Sequence, residues 1–241
     1  MGPVIFLTVN TFTYIGTELE IFAHACNWKN YVRSYLRPYV MGDVLEVGAG
    51  IGSNTKIYFD GSQSRWVCLE PDASLAQRIP RTGQLTRCEV FVGTLDELPV
   101  GNHFDSIIYI DVLEHIDDHR REIALAADRL NPGGYLSVLS PAHQWLYTTF
   151  DEAVGHCRRY SKGELRLLTP PSVTVEKLLF LDAAGLLASL ANRAVLKSAS
   201  PSVRQIQLWD RLLVPISRFV DPIFAYALGK SILAVWRKLG A

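Results

Sequence analysis

Residues 44–55 read Val-Leu-Glu-Val-Gly-Ala-Gly-Ile-Gly-Ser-Asn-Thr. Three apolar residues, Val44, Leu45 and Val47, are interrupted only by Glu46, and glycines follow at the alternate positions Gly48, Gly50 and Gly52. A short apolar run ending in glycines reads as a buried strand that turns sharply into a helix. Glycine serves where φ turns positive or where a ligand must lie against bare backbone. A second apolar run ends at Cys68-Leu69-Glu70-Pro71-Asp72, which puts Glu70 20 positions after Gly50. A nucleotide-binding α/β fold places there the acid that takes the ribose hydroxyls. The loop is not a dinucleotide fingerprint, because G-x-G-x-x-G counted from Gly48 would need its third glycine at Ser53. No Lys-Ser/Thr pair follows, which argues against a triphosphate.

Outward from this stretch, the chain alternates strands and helices. Arg65–Leu69, Cys88–Val92, Phe104–Ile110 and Tyr135–Leu139 read as the second to fifth strands. A short helix is expected over Ser74–Ile79 and a longer one over Arg120–Leu130, stopped by Asn131-Pro132-Gly133-Gly134. Asp111-Val112-Leu113-Glu114-His115 leaves the fourth strand at its carboxyl end, the side of an open α/β sheet where ligands sit. Val173–Leu181 and Ser231–Trp236 read as the last two strands. About 50 residues separate them, far more than a hairpin loop holds. That insert has helical spacing over Ala183–Lys197 and again from Val203 to about Leu228, with interruptions expected at Pro215 and Pro222. Before the glycine loop, Leu19, Ile21, Phe22, Ala25, Trp28, Tyr31 and Val32 recur at helical spacing, with Thr17 and Glu20 as a capping box. Residues 1–16 are ambiguous, with a substrate-covering arm as one reading.

The ordered set VLEVGAGIG, LEPD, IDVLEH and LNPGG resembles the class I S-adenosylmethionine (SAM) methyltransferases, over roughly residues 40–182 and a strand near the C-terminus. The resemblance implies an α/β, Rossmann-like, seven-stranded, mostly parallel sheet with helices on both faces, preceded by an N-terminal helix. Four parts follow: an arm and covering helix over 1–40, a SAM-binding core over 41–182, a helical insert over 183–228, and a final strand over 229–241. SAM is the implied cofactor, with Glu46, Gly48, Gly50, Gly52, Glu70, Pro71, Thr94, Leu95 and Asp111 as its implied contacts. Among them Thr94 and Leu95 flank the adenine, and Asp111 lies near the methionine part, where a carboxylate accepts from an α-ammonium. Absence of Asn-Pro-Pro-Tyr argues against amide and base nitrogen as acceptor.

Tyr147 to Tyr160 is the most unusual stretch. Its Gly155-His156-Cys157-Arg158-Arg159-Tyr160 resembles a GHxRRY element that follows the fifth strand in many small bacterial methyltransferases. Arginine fits carboxylate or phosphate oxygens as a fork, and histidine or tyrosine can take a proton. Tyr147, Arg158 and Arg159 are therefore candidates for acceptor recognition, and His115, His143, His156 and Tyr160 for catalysis. The competing reading has Asp151 and Glu152 pairing internally with Arg158 and Arg159. A metal is the minority alternative. Asp111, Glu114 and His115, at i, i+3, i+4, resemble the acid-Glu-His cluster of divalent-metal-dependent O-methyltransferases, with His143 or His156 completing the shell.

Of 241 residues, Lys+Arg number 24 and Asp+Glu 24, so no global charge invites nucleic acid. Charge is nevertheless uneven: residues 43–118 carry 13 acids against 5 bases, and residues 193–241 carry 8 bases against 2 acids. The four cysteines form no CxxC pair, and the N-terminus lacks a basic n-region, so the expected setting is cytoplasmic. No apolar run is long enough to span a bilayer. The expected function is SAM-dependent methyl transfer to a small-molecule acceptor, most readily at oxygen. One rival attacks the aminobutyryl chain of SAM instead, by cyclisation or by 3-amino-3-carboxypropyl transfer. Another is a non-catalytic SAM-binding or membrane-surface module, motivated by the basic, apolar C-terminal region. For the insert the readings are a pocket wall, a dimer contact, or peripheral contact with anionic lipid.

Overall fold

The structure, a computed structural model, describes residues 12–14, 16, 18–195 and 202–240. Most of the expected N-terminal arm, Thr17 of the expected capping box and Lys197 lie outside the described residues. Seven strands form one sheet: β1 (Asp43–Val47), β2 (Arg65–Glu70), β3 (Cys88–Val92), β4 (Phe104–Ile110), β5 (Leu130–Pro141), β6 (Val173–Leu181) and β7 (Ser231–Lys238). Their order is β3-β2-β1-β4-β5-β7-β6, with β7 antiparallel to both its neighbours. The order reverses at β1, whose Val47 pairs with Leu69 of β2 on one side and Tyr109 of β4 on the other. That switch point is where ligands bind in such sheets.

The strands are apolar on both faces because helices cover both. The helices are α1 (Glu18–Ala23), α2 (Cys26–Leu36), α3 (Thr55–Tyr58), α4 (Ala73–Ala76), α5 (His119–Asp128), α6 (Thr149–Ala153), α7 (Lys162–Leu167), α8 (Ala183–Val195), α9 (Val203–Leu208) and α10 (Val214–Ile223). Val44, Trp66, Ile108 and Leu233 pack with Trp28, Tyr31 and Val32 of α2 and Val214 of α10. Leu45, Val67, Ile107 and Ala234 pack on the other face with Ile123, Ala126 and Ala127 of α5 and Leu165 of α7.

Four departures from expectation have local causes. The N-terminal helix is two helices, because Ala25 is non-helical (ψ 62°) and the carboxylate of Asp210, in the insert, accepts from the N–H groups of Asn27 and Trp28, capping α2 from outside. The second helix begins earlier and is shorter, because Asp72 caps it through Ser74 N and Leu75 N. β5 starts at Leu130 rather than Tyr135, and the expected helix stop is a bulge facing β4: a Cβ on Gly134 would lie 2.8 Å from the Asp105 carbonyl. In the insert, α9 and α10 join through a π turn, Trp209–Leu213, immediately before Pro215. The widened turn absorbs the missing proline N–H, so the helix continues where a break was expected.

The insert is locked to the rest of the chain by its acids. Asp221 accepts from Tyr31 Oη (2.8 Å), Asp182 N and Ala183 N, while Asp182 accepts from Trp209 Nε1 (2.7 Å) and Ser217 Oγ. Burial of such carboxylates is sustained only by this full set of donors.

Candidate active site

The glycine loop follows β1 and is held by β2. Gly48 N and Ala49 N donate to the Leu69 carbonyl, and Gly50 N donates to Glu70 Oε2 at 2.7 Å. Gly48 has φ +67°, and a Cβ there would lie 2.6 Å from Val112, the residue after the β4 switch. The loop can therefore approach the β4 end only as bare backbone. Glu70 Oε1 accepts from Asp72 N, which fixes the carboxylate at the C-terminal edge of β2 with lone pairs to spare for two hydroxyls. Burial raises the Glu70 carboxyl above its ordinary value. Pro71, half-buried, makes the turn between Glu70 and the Asp72 cap.

Glu46 takes a different role from the one expected. Its Oε2 accepts from Thr55 Oγ1 (2.6 Å) and Trp66 Nε1 (3.0 Å), bracing β1 against α3 and β2, and burial lifts its carboxyl to about 7. Thr94 and Leu95 are also committed elsewhere. Thr94 N and Oγ1 both donate to Glu97, and the Leu95 side chain is packed in the core with Phe91 and Leu69.

Asp111 leaves β4 with φ +55°, a left-handed backbone forced on a non-glycine residue. Its side chain is open to water yet closely walled by protein. Burial lifts its carboxyl to about 6, against the pull of His156, Lys29 and Lys230. Asp118 caps α5 through Arg121 N, so Asp111 is not spent as a helix cap. Lys29 and Lys230 escaped the sequence reading. Lys29 is buried, donates to Ser53 Oγ at 2.8 Å on the glycine loop, and is lowered by burial. Lys230 lies 3.6 Å from Asp182 and 4.0 Å above the Trp209 ring. The signal for Lys29 was a lysine between Trp28 and Tyr31 on an otherwise apolar helix face. Tyr14 also belongs here: its N–H donates to Asp72 Oδ2 (2.8 Å) and its ring meets His115 edge-on at 5.8 Å. It bridges the β2 and β4 ends of the cleft. Bare glycine backbone, an acid at the β2 end and an accessible carboxylate at the β4 end fit the ribose and amino-acid parts of SAM.

Across the cleft, the two segments 113–117 and 155–160 are stitched together. Cys157 N donates to the Glu114 carbonyl (2.8 Å), and Arg158 donates to the carbonyls of Ile116 (2.7 Å) and Asp117 (3.1 Å). Arg159 donates through Nε and Nη2 to the two oxygens of Asp151, both at 2.9 Å. Both arginines are thus structural ties, which corrects their assignment to acceptor recognition. The competing reading of internal pairing describes Arg159, whereas Arg158 is held by backbone carbonyls and lies 3.5 Å from Asp117, not against Asp151 or Glu152. Tyr147 is spent as well, its hydroxyl donating to the His156 carbonyl at 2.6 Å.

The catalytic candidates separate in the same way. Tyr160 is a core residue, its hydroxyl 2.7 Å from His119 Nδ1 and donating to the Leu113 carbonyl, and burial raises its pKa. His143 places Nε2 3.0 Å from the Gly229 carbonyl, so that nitrogen carries the proton and is no base. His115 and His156 meet, with ring centroids 4.6 Å apart. Burial, reinforced by His156, lowers His115 to about 4, which keeps it neutral. His156 Nδ1 lies 2.9 Å from Asp151 Oδ1. Burial opposes the charge on Asp151, but hydrogen bonds from His156 and Arg159 outweigh it and hold the carboxyl down at about 2.

His156 Nε2 faces Glu114 Oε1 at 3.9 Å, beyond hydrogen-bond reach. Glu114 is fully buried; its Oε2 accepts from Ser140, whereas Oε1 has no hydrogen-bond partner among the described residues. Burial, then the charge of Asp111, raises its carboxyl well above the ordinary range. Glu114, His115 and His156 bring one ligand atom each within 4.8 Å of one another. This corrects the expected trio: residues 113–115 form a 3₁₀ turn, not an α-helix, so Asp111 does not share their face, and His156 takes its place.

A family model described as a methyltransferase domain matches residues 26–169, more than half of the chain. No curated protein matches it. Among solved structures, an S-adenosylmethionine-dependent methyltransferase from Mesorhizobium loti is similar at TM-score 0.61 and 16% identity, covering 89% of this chain and 99% of that one. The N-methyltransferase NodS from Bradyrhizobium japonicum, in complex with S-adenosyl-L-homocysteine, is similar at TM-score 0.55 and 14% identity, covering 87% and 84%. A Haloferax volcanii protein solved with the Trm112 methyltransferase activator reaches TM-score 0.61 at 14% identity, covering 93% and 92%. At these identities the neighbours establish the fold, and the matched domain, which spans the glycine loop, Glu70, Asp111 and the 155–160 segment, establishes that this chain belongs to the methyltransferase-domain family, as a SAM-dependent methyltransferase.

Proposed function

We propose that the protein methylates an oxygen of a small-molecule acceptor, with His156 as the base. Bound SAM supplies a methyl group already activated by its sulfonium charge. The protein's own work is then to align the acceptor, exclude water and receive a proton. The observation that carries the reading is the Asp151–His156 pair. Asp151, clamped by Arg159, accepts a hydrogen bond from Nδ1–H and leaves Nε2, 3.9 Å from Glu114 Oε1, as the nitrogen that would receive the acceptor's proton. An oxygen acceptor needs such a base, whereas a neutral amine sheds its proton after transfer. Tyr14, bridging the cleft mouth, would shield the site from water.

The test is mass spectrometry of the protein with SAM alone, then with a panel of small hydroxylated and carboxylated compounds. S-adenosylhomocysteine formed only with a hydroxylated acceptor supports the proposal. Methylthioadenosine from SAM alone would replace it with attack on the aminobutyryl chain.

A second reading rests on the unpartnered Glu114 Oε1. With His115 and His156 it offers two imidazoles and a carboxylate, a set suited to divalent transition metals. His156 is oriented by a carboxylate, the outer partner such ligands usually have. Zinc or manganese retained at one equivalent per chain after dialysis, and lost in Glu114→Gln, supports it. No retained metal, with unchanged turnover under chelator, removes it.

A further inference from the structure

The helix from α9 through the π turn to α10 covers residues 203–223, about 30 Å at the usual rise. Its inner face is consumed: Ile206, Trp209, Val214 and Ser217 are buried, as are Asp210 and Asp221, which cap α2 and α8. Its outer face is apolar without interruption. Leu208, Leu212, Ile216, Phe219 and Ile223 follow one another at spacings of three or four, which puts them on one side of the helix. All five are exposed, Phe219 and Ile223 to 77% each. Such a seam is unusual for a surface left to water.

The exposed charges of this helix are of one sign. Arg204, Arg211 and Arg218 are exposed and recur along it beside the apolar seam, Arg218 with its guanidinium 5.7 Å over the Tyr31 ring. The only acids between residues 202 and 228 are Asp210 and Asp221, both buried and engaged, so the helix itself presents no exposed carboxylate beside its arginines. No described helix is long and apolar enough to cross a membrane. An amphipathic helix with an apolar face and a purely basic border fits the plane of a bilayer surface, the seam among acyl chains and the guanidinium groups on anionic headgroups. A second copy of this chain would bring the like-charged arginine rows together, which disfavours self-association through the seam.

We propose that this outer face docks the enzyme onto an anionic lipid surface. The proposal is independent of the acceptor and of the base assigned above. The experiment is co-sedimentation of the full chain with phosphatidylcholine vesicles, with and without about one-third phosphatidylserine, at low and physiological salt. Expected is pelleting that requires phosphatidylserine and weakens with salt, falls at least tenfold in Phe219→Glu/Ile223→Glu, and falls several-fold in a triple Arg→Gln variant at 204, 211 and 218. SAM affinity, measured in parallel, should be unchanged in both variants, since these residues lie outside the cofactor cleft. Absence of pelleting at low salt overturns the proposal. So does equal pelleting on pure phosphatidylcholine, or a dimer in solution that the Phe219/Ile223 variant abolishes.

Discussion

The two sides of the cleft are built differently. On the cofactor side, groups are positioned through main-chain atoms at the ends of adjacent strands: Gly50 N on Glu70, Asp72 N on Glu70, and Gly48 at φ +67° against Val112. On the other side, His156, the proposed base, is positioned by the side chains of Asp151 and Arg159 within one short loop and by ties of that loop to residues 113–117. A site of the first kind tolerates change around it. One of the second kind fails as a unit, because removing a member strands the others buried and unpaired.

That contrast can be broken by mutation. The largest effect is expected from His156→Ala: turnover of an acceptor found in the panel should fall ~10²–10⁴-fold, with SAM affinity unchanged by calorimetry. Equal loss of SAM binding would join the two halves into one site. Next, Asp151→Ala leaves Arg159 and His156 without their shared carboxylate and should cost about 3–5 kcal/mol in denaturant unfolding. Because the Asp151 carboxyl is held at about 2, below its unfolded value, its contribution is present at neutral pH and is lost as pH falls through that range. The variant's stability should therefore converge with wild type only in strong acid.

Glu46 tests the cofactor side in the opposite direction. Its carboxyl is raised by burial to about 7, so the folded state holds a proton that the unfolded chain has released. Stability should therefore decline as pH rises from about 4.5 to above 7, by up to ~3 kcal/mol at full shift. Glu46→Gln, which keeps an oxygen for Thr55 and Trp66, should flatten that slope in thermal melts across pH. An unchanged slope would mean Glu46 stays ionised in the fold. The smallest effect is expected at Glu70→Ala: SAM affinity weaker by ~10–100-fold, as for losing hydrogen bonds to a charged group, with Asp151–His156 geometry untouched. Unchanged affinity would place the ribose elsewhere.

The sheet was largely legible, because strand limits such as Cys88–Val92, Phe104–Ile110 and Val173–Leu181 follow from apolar runs closed by turn residues. Ends set by remote groups were not. The break between α1 and α2 depends on Asp210, 183 residues from Asn27, and no local pattern announces it. In the site, Asp111 and Glu70 could be placed because a strand's carboxyl end fixes where they emerge. Tyr160, Arg158 and Arg159 were misassigned for a shared reason: an arginine or tyrosine in a loop has the same chemistry whether it meets a ligand or a buried carbonyl.

What the amino-acid order alone determined, then, is the backbone of the cofactor half: a glycine where φ must be positive, an acid at a fixed distance, apolar strands that must be covered on both faces. Those requirements fall on the main chain at the ends of adjacent strands. The tertiary structure alone decided that His156 pairs with Asp151, that Asp151 stays charged, and that Lys29 and Tyr14 reach the cleft. The Asp151–His156–Arg159 set lies within one short loop and depends on how much water packing removes, whereas Lys29 and Tyr14 depend on which distant segment supplies the partner. Both are set only when the two faces of the sheet and the insert close on one another.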